Sequence, residues 1–250
     1  MNSFKSRLRA GERSFGLWST LSSPNVAELI GGTNFDWLLF DAEHAPIELS
    51  DLVHLLRAAQ SSPADVAVRI PWNDPVLIKR VLDLGAKNLL IPFVQYHVEA
   101  KAAVDASRYP PRGRRGVAGA TRASGYGRDK SYLREADANL TLIVQVETPE
   151  AVSNLESIAA CEGVDGVFIG PSDLSAAMGF LGQPTHPDVQ NQIRDCVDRL
   201  RAVGTPAGIL AADAATAKRY AEWGYTFVAA GVDAFLLMRA ADQLLQELRT

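Results

Sequence analysis

A chain of 250 residues, 47% hydrophobic and 22% charged, has the length of one α/β barrel and the composition of a globular protein with a real core. Its formal charge of −4 gives no electrostatic footprint for nucleic acid, and no apolar run approaches the roughly 18 residues a membrane span needs. The segment from Met1 to Gly16 is polar and charged, unlike a secretory signal, and Cys161 and Cys196 show no metal-ligand spacing, so a reducing cytoplasm is the expected setting.

Taken in chain order, short β-branched apolar runs alternate with amphipathic stretches. The runs predict strands at Phe15–Ser19, Trp37–Asp41, Asp65–Ile70, Asn88–Val94, Thr141–Glu147, Gly166–Ile169, Ala207–Ala211 and Thr226–Ala230. The intervening helices are expected at Asn25–Ile30, Leu49–Gln60, Pro75–Leu84, Val98–Ser107, Glu150–Ala160, Pro187–Val203 and Ala214–Trp223, with a last one from Ala234 to Leu248. Prolines at 75, 149 and 187 stand near helix starts, and Gly85, Gly163, Gly204 and Gly224 follow helix ends as left-handed caps would. Eight βα units without a break in composition predict a (β/α)8 (TIM) barrel forming a single domain over residues 1–250; a doubly wound open sheet is the alternative. The Gly- and Arg-rich stretch from Pro110 to Asn139 interrupts the rhythm. As an αβ connection it should leave the bottom of the barrel, and it either climbs to the rim or serves subunit contacts.

Ligands gather at the carboxyl ends of parallel strands. Under the predicted register that rim carries Asp41-Ala42-Glu43-His44 after the second strand, Arg69 on the third, Gln145 and Glu147 on the fifth, and Gly170-Pro171-Ser172-Asp173 after the sixth, where a short helix begins. Glu147 and Asp173, on consecutive strands, can share one divalent cation: Mg²⁺, Mn²⁺ or Co²⁺ suits oxygen ligands. A cation so held leaves positions for a chelating 2-oxo acid, whose enolate oxygen the metal and Arg69 would stabilise. Amides of Ser172 and Asp173 would hold the substrate carboxylate, and His44 would move the proton. The plainer reading makes each acid a helix cap or an arginine partner, with Arg69 neutralising Asp41 or Glu43, and Trp18 and Leu210 packing the rim. A Schiff-base mechanism lacks its residue, because Lys79, Lys101 and Lys218 fall on helices, Lys87 precedes a strand and Lys130 lies in the long loop.

The segments Asp41-Ala42-Glu43-His44, Val68-Arg69-Ile70-Pro71, Pro110-Pro111-Arg112-Gly113-Arg114-Arg115-Gly116, Gln145-Val146-Glu147-Thr148 and Gly170-Pro171-Ser172-Asp173-Leu174-Ser175 resemble the HpcH/HpaI aldolase family in order and spacing, from about Phe4 to the C-terminus. The resemblance implies a class II, metal-dependent aldolase that reversibly joins pyruvate, or a close 2-oxo acid such as hydroxypyruvate, to an aldehyde. It implies Glu147 and Asp173 as metal ligands, His44 as proton acceptor, Arg69 as enolate stabiliser, and Gln145, Ser172 and Asp173 as contacts of pyruvate or its bound water. Asp83 matches an aspartate that raises the basicity of the histidine; near the end of a helix running to the barrel bottom, it would have to reach His44 from a neighbouring subunit. A homo-oligomer is also implied, commonly a hexamer of dimers that exchange the last helix, and the apolar residues between Phe235 and Leu248 are compatible with that or with covering the barrel's own flank. Related acyl-CoA lyases of the citrate lyase β-subunit type, and a non-catalytic oligomeric binding protein, are the competing expectations.

Overall fold

The computed structural model describes residues 3–249. A helix α1 (Ser3–Ala10) precedes β1 (Ser14–Ser19), α2 (Pro24–Gly31), β2 (Trp37–Asp41), α3 (Leu49–Ala58), β3 (Asp65–Arg69), α4 (Pro75–Asp83), β4 (Asn88–Ile91) and α5 (His97–Ser107). After the long connection come α6 (Tyr132–Asn139), β5 (Thr141–Val146), α7 (Pro149–Ser153), α8 (Leu155–Ala159), β6 (Gly166–Ile169), α9 (Pro171–Ala177), α10 (Pro187–Ala202), β7 (Ala207–Ala211), α11 (Ala214–Trp223), β8 (Phe227–Val232) and α12 (Asp233–Arg249). The strands pair in parallel in sequence order and β8 returns to β1, closing the barrel.

The expected order of elements is realised, with three strands matching to the residue. The strand predicted over Asn88–Val94 stops at Ile91, because Pro92 has no N–H for the ladder and Phe93 turns to φ +53°. The helix predicted over Glu150–Ala160 breaks into α7 and α8 at Asn154. Ser23, Asp74, Thr148 and Asp213 accept from amides of the first turns of α2, α4, α7 and α11, and the four anticipated glycine caps at 85, 163, 204 and 224 all have positive φ.

Two apolar layers follow from strand alternation. Leu38, Phe40, Val68, Leu89, Leu142, Val144 and Val167 face the helices and belong to the outer core. Trp37, Leu39, Ala67, Leu90, Ile143, Phe168 and Phe227 form the inner one. The helix α1, unanticipated in a segment read as merely polar, plugs the bottom. Phe4 packs on Trp37 and Phe227 with ring centroids 5.8 and 6.2 Å away, and Lys5, buried among them, donates to the carbonyl of Leu140 at 2.6 Å and pairs with Asp165 at 3.1 Å. Gly16 is required here, since a Cβ would lie 2.2 Å from the Trp37 ring.

The Pro110–Asn139 connection stays at the bottom of its own barrel. Arg115 pairs with Asp83 at 2.6 Å, and Arg122 donates to the carbonyl of Leu84 at 2.7 Å. Its last turns form α6, which the sequence rhythm did not signal.

Candidate active site

The inward alternation that buries Trp37 and Leu39 places Asp41 next in line at the carboxyl end of β2, in register with Arg69. The two form a buried bidentate pair: Nε of Arg69 donates to Oδ1 at 2.9 Å and Nη2 to Oδ2 at 2.5 Å. Trp18 donates its indole N–H to Oδ2 at 3.0 Å, while the Arg69 guanidinium lies over its ring at 4.9 Å. The amides of Glu43 and His44 donate to Oδ1, and Glu43 Oε2 sits 2.8 Å from Nη1 of Arg69. Burial alone would raise the Asp41 pKa, but the bonds and charge of Arg69, with the indole and the Glu43 amide, outweigh it and hold the acid below its usual range. Two of the five guanidinium N–H groups are thereby donated to Asp41, while Glu43 Oε2, though close to Nη1, accepts none of them.

Across the mouth, Gln145 and Glu147 continue the inward face of β5. Glu147 accepts from the amide of Phe93 at 2.9 Å on Oε1 and from Nε2 of Gln145 on Oε2. Gly170, the residue before α9, leaves it room, since a Cβ there would lie 2.5 Å from Oε2. Burial raises the Glu147 pKa to about 7, and the charges of Asp173 and Glu43 add to the rise. Burial likewise raises Glu43 against the opposing pull of Arg69 and His44. Gln145 Oε1 is buried without a hydrogen-bond partner.

Of the residues singled out from sequence, Arg69, Gln145, Glu147 and Asp173 converge: the charge of Glu147 acts on Arg69, that of Asp173 acts on Glu147, and Gln145 bonds to Glu147. Ser172 and Asp173 lie exposed in the first turn of α9. His44 is exposed on the loop after β2, tied by its backbone to Asp41. Asp83 lies at the opposite end of the barrel on Arg115, away from His44 of its own chain. Trp18 is 2% exposed and packs on Phe168 with ring centroids 5.5 Å apart, in line with the packing expected of it, and its indole N–H also joins the Asp41–Arg69 cluster. The pairing of Arg69 with Asp41 and Glu43, offered as its plainer role, is present and coexists with its place in the mouth. Asp41, Glu43, Gly170 and Phe93 were not singled out as site residues. The Trp37-Leu39-Asp41 alternation carried a signal for the first, whereas nothing in the sequence announces the backbone of Phe93.

A closed parallel barrel with carboxylates, an arginine and an amide gathered at its strand ends defines a barrel enzyme that acts on small molecules. Residues 14–240 match the HpcH/HpaI aldolase/citrate lyase family, and the chain belongs to it. It is 52% identical over 244 residues to a 4-hydroxy-2-oxo-heptane-1,7-dioate aldolase of Salmonella dublin, covering 97% of this chain and 93% of that one. An HpcH/HpaI aldolase/citrate lyase family protein of Burkholderia cenocepacia J2315 superposes with a TM-score of 0.97 at 41% identity, each chain covered completely. An HpcH/HpaI aldolase of Desulfitobacterium hafniense DCB-2 gives 0.90 at 29% identity, over 100% of this chain and 97% of that one.

Proposed function

We propose that this chain is a class II aldolase catalysing the reversible addition of pyruvate, or hydroxypyruvate, to an aldehyde to give a 4-hydroxy-2-oxo acid. The observation that carries the reading is the 52% identity to a named hydroxy-oxo acid aldolase over 97% of the chain, with the expected acids and arginine kept at the strand ends.

The donor set suits a hard divalent ion such as Mg²⁺, Mn²⁺ or Co²⁺. The charges of Asp173 and Glu43 add to the rise of Glu147, that of Asp173 adds to the rise of Glu43, and Gln145 Oε1 is an unpartnered buried acceptor beside them. Among the described residues no group of three or more His, Cys, Asp or Glu is arranged to hold a metal, so Glu147 and Asp173 would hold it with water and substrate completing the sphere. When bound, the ion would supply electrophilic stabilisation of the oxygen that becomes negative.

The chain's own residues account for the remainder. The N–H groups of Arg69 that are not given to Asp41 hold the enolate oxygen, and the first-turn amides of α9 orient the substrate carboxylate. His44 takes a proton from C3 of the 2-oxo acid, that carbon attacks the aldehyde carbonyl, and the proton returns from His44, directly or through water, to the resulting alkoxide. Asp83 would reach His44 from a neighbouring subunit and raise its basicity. A homo-oligomer supplies that neighbour, and its dimers would exchange α12, whose apolar residues remain exposed in the protomer. Among the described residues no helix is long and apolar enough to cross a membrane.

Proton NMR of pyruvate in D₂O with metal-stripped protein, before and after Mg²⁺ or Mn²⁺, tests the reading without a choice of aldehyde. Metal-dependent loss of the methyl signal is expected. No exchange with any metal would overturn it, and turnover of malyl-CoA under those conditions would favour the acyl-CoA lyase instead.

A further inference from the structure

Phe93 combines three features that barrel packing does not require. Its φ of +53° lies in the left-handed region, a conformation disfavoured for a bulky L-residue. Its amide, presented by that turn, donates to Oε1 of Glu147 at 2.9 Å. Its ring, 38% exposed, stacks on Trp72, itself 54% exposed, with centroids 5.7 Å apart and planes at 28°. Aromatic side chains left this open on the protomer contribute less to the core than buried ones, yet here they are paired with each other.

We propose that the Trp72–Phe93 stack is a positioning device for Glu147, holding Phe93 in its left-handed turn so that its amide fixes the carboxylate. The argument rests on the reading of Glu147 as a metal-binding acid. Glu147 is restrained at both oxygens, by Phe93 on Oε1 and by Gln145 on Oε2, with Gly170 pressed against it. Of these restraints the Phe93 amide is the one supported by a disfavoured backbone, which persists only where its surroundings over-determine it. Pro92 ends the β4 ladder just before it, and the chain rejoins β5 only just after it, where the amide of Val94 donates to the carbonyl of Gln145 at 3.0 Å. Between those two points the side-chain support of the turn is the Phe93 ring on Trp72, three residues beyond Arg69. The stack thereby braces the loop after β3 against the loop after β4, joining the arginine side of the mouth to the carboxylate side. Phe93 and Trp72 are positioning residues: their rings need not touch the reacting atoms.

The test compares Mn²⁺ affinity, by calorimetry on the full-length protein without substrate, in the parent, Phe93→Ala, Phe93→Gly and Trp72→Ala. Both substitutions at 93 remove the ring, but only glycine enters the left-handed region without penalty. Phe93→Ala is expected to bind Mn²⁺ about five- to thirty-fold more weakly than the parent, Phe93→Gly to stay within about two-fold, and Trp72→Ala to fall between. Equal affinities for the alanine and glycine variants, whether both strong or both weak, would overturn the proposal while leaving the site reading intact. A parent that binds no Mn²⁺ would overturn both. Should Phe93→Ala fail to fold, Trp72→Phe, which keeps the stack, must bind at least five-fold more tightly than Trp72→Ala; equal binding overturns the proposal.

Discussion

Asp41 is the residue on which the arginine side of the mouth depends. It receives two bonds from Arg69, one from Trp18 and two from the loop amides that lead to His44. Arg69→Lys keeps the charge but loses the fork, so the pyruvate exchange rate should fall by about a hundred-fold or more in the NMR assay while the fold persists. Gly170→Ala should be as damaging for a steric reason, because its Cβ would meet Glu147 Oε2 at 2.5 Å; the check is Mn²⁺ affinity alongside circular dichroism. The acids also set opposite pH responses. Glu147 rises from an ordinary 4.5 to about 7 through burial first and the charges of Asp173 and Glu43 next, so in that window the metal-free folded protein holds a proton that the unfolded chain has lost. Its contribution therefore favours folding at low pH and is lost as pH rises toward about 7, and denaturation of EDTA-treated protein should show a lower midpoint at pH 8 than at pH 5 from this residue. Glu147→Gln should remove that part of the difference. Asp41, held below its ordinary 3.8, acts in the other sense: its stabilisation is present above that value and is lost only as pH falls through the lowered one. At this scale the sequence made Glu147, Asp173 and Arg69 legible, because residue type at a strand end is itself the signal. Asp41 needed the period-two pattern of β2 to be read inward, and the left-handed turn of Phe93 is set by tertiary contacts, leaving no trace in residue identity.

Among elements, α1 shows how a short charged segment becomes structural. Its Lys5 is 3% exposed and bridges the Leu140 carbonyl and Asp165, so its polar character masks a buried role. Lys5→Ala should destabilise the protein by about 3–5 kcal/mol in urea unfolding, since it leaves a buried carboxylate short of its partner. Lys5→Met combined with Asp165→Asn should recover part of the loss. The βα units were legible because hydrophobic period and punctuation agree at each one: Trp37–Asp41, Gly166–Ile169 and Ala207–Ala211 sit where their apolar runs placed them. The helix α6 was not, because Tyr132–Asn139 has no buried residue and hence no apolar stripe to read. The break at Asn154 is similarly local, with the Asn side chain donating to the carbonyls of Gln95 and Glu150.

On the scale of the whole molecule, α12 is anchored at its first turn through Asp233 but leaves a run of large apolar residues uncovered. Phe235, Leu236, Leu237, Met238, Leu244, Leu245 and Leu248 are each at least 45% exposed, and the alternative expectation, that they cover the barrel's own flank, is not met in the protomer. A large apolar side chain gains about 1.5–3 kcal/mol on full burial, so a helix with this many has a strong drive to find a second copy. Sedimentation should give an oligomer, and Leu237→Glu with Leu244→Glu should shift it toward monomer. A monomeric parent would reject helix exchange. The ties of Asp41 have a further consequence for descent. One carboxylate couples β1, β2 and β3, so a change to any of its partners disturbs the charge, the indole and the histidine loop together. The side chains of Leu210 and Ala212, at the β7 end of the same mouth, make no hydrogen bond. Change on that side can come by single substitutions that leave the tethered half of the mouth as it is.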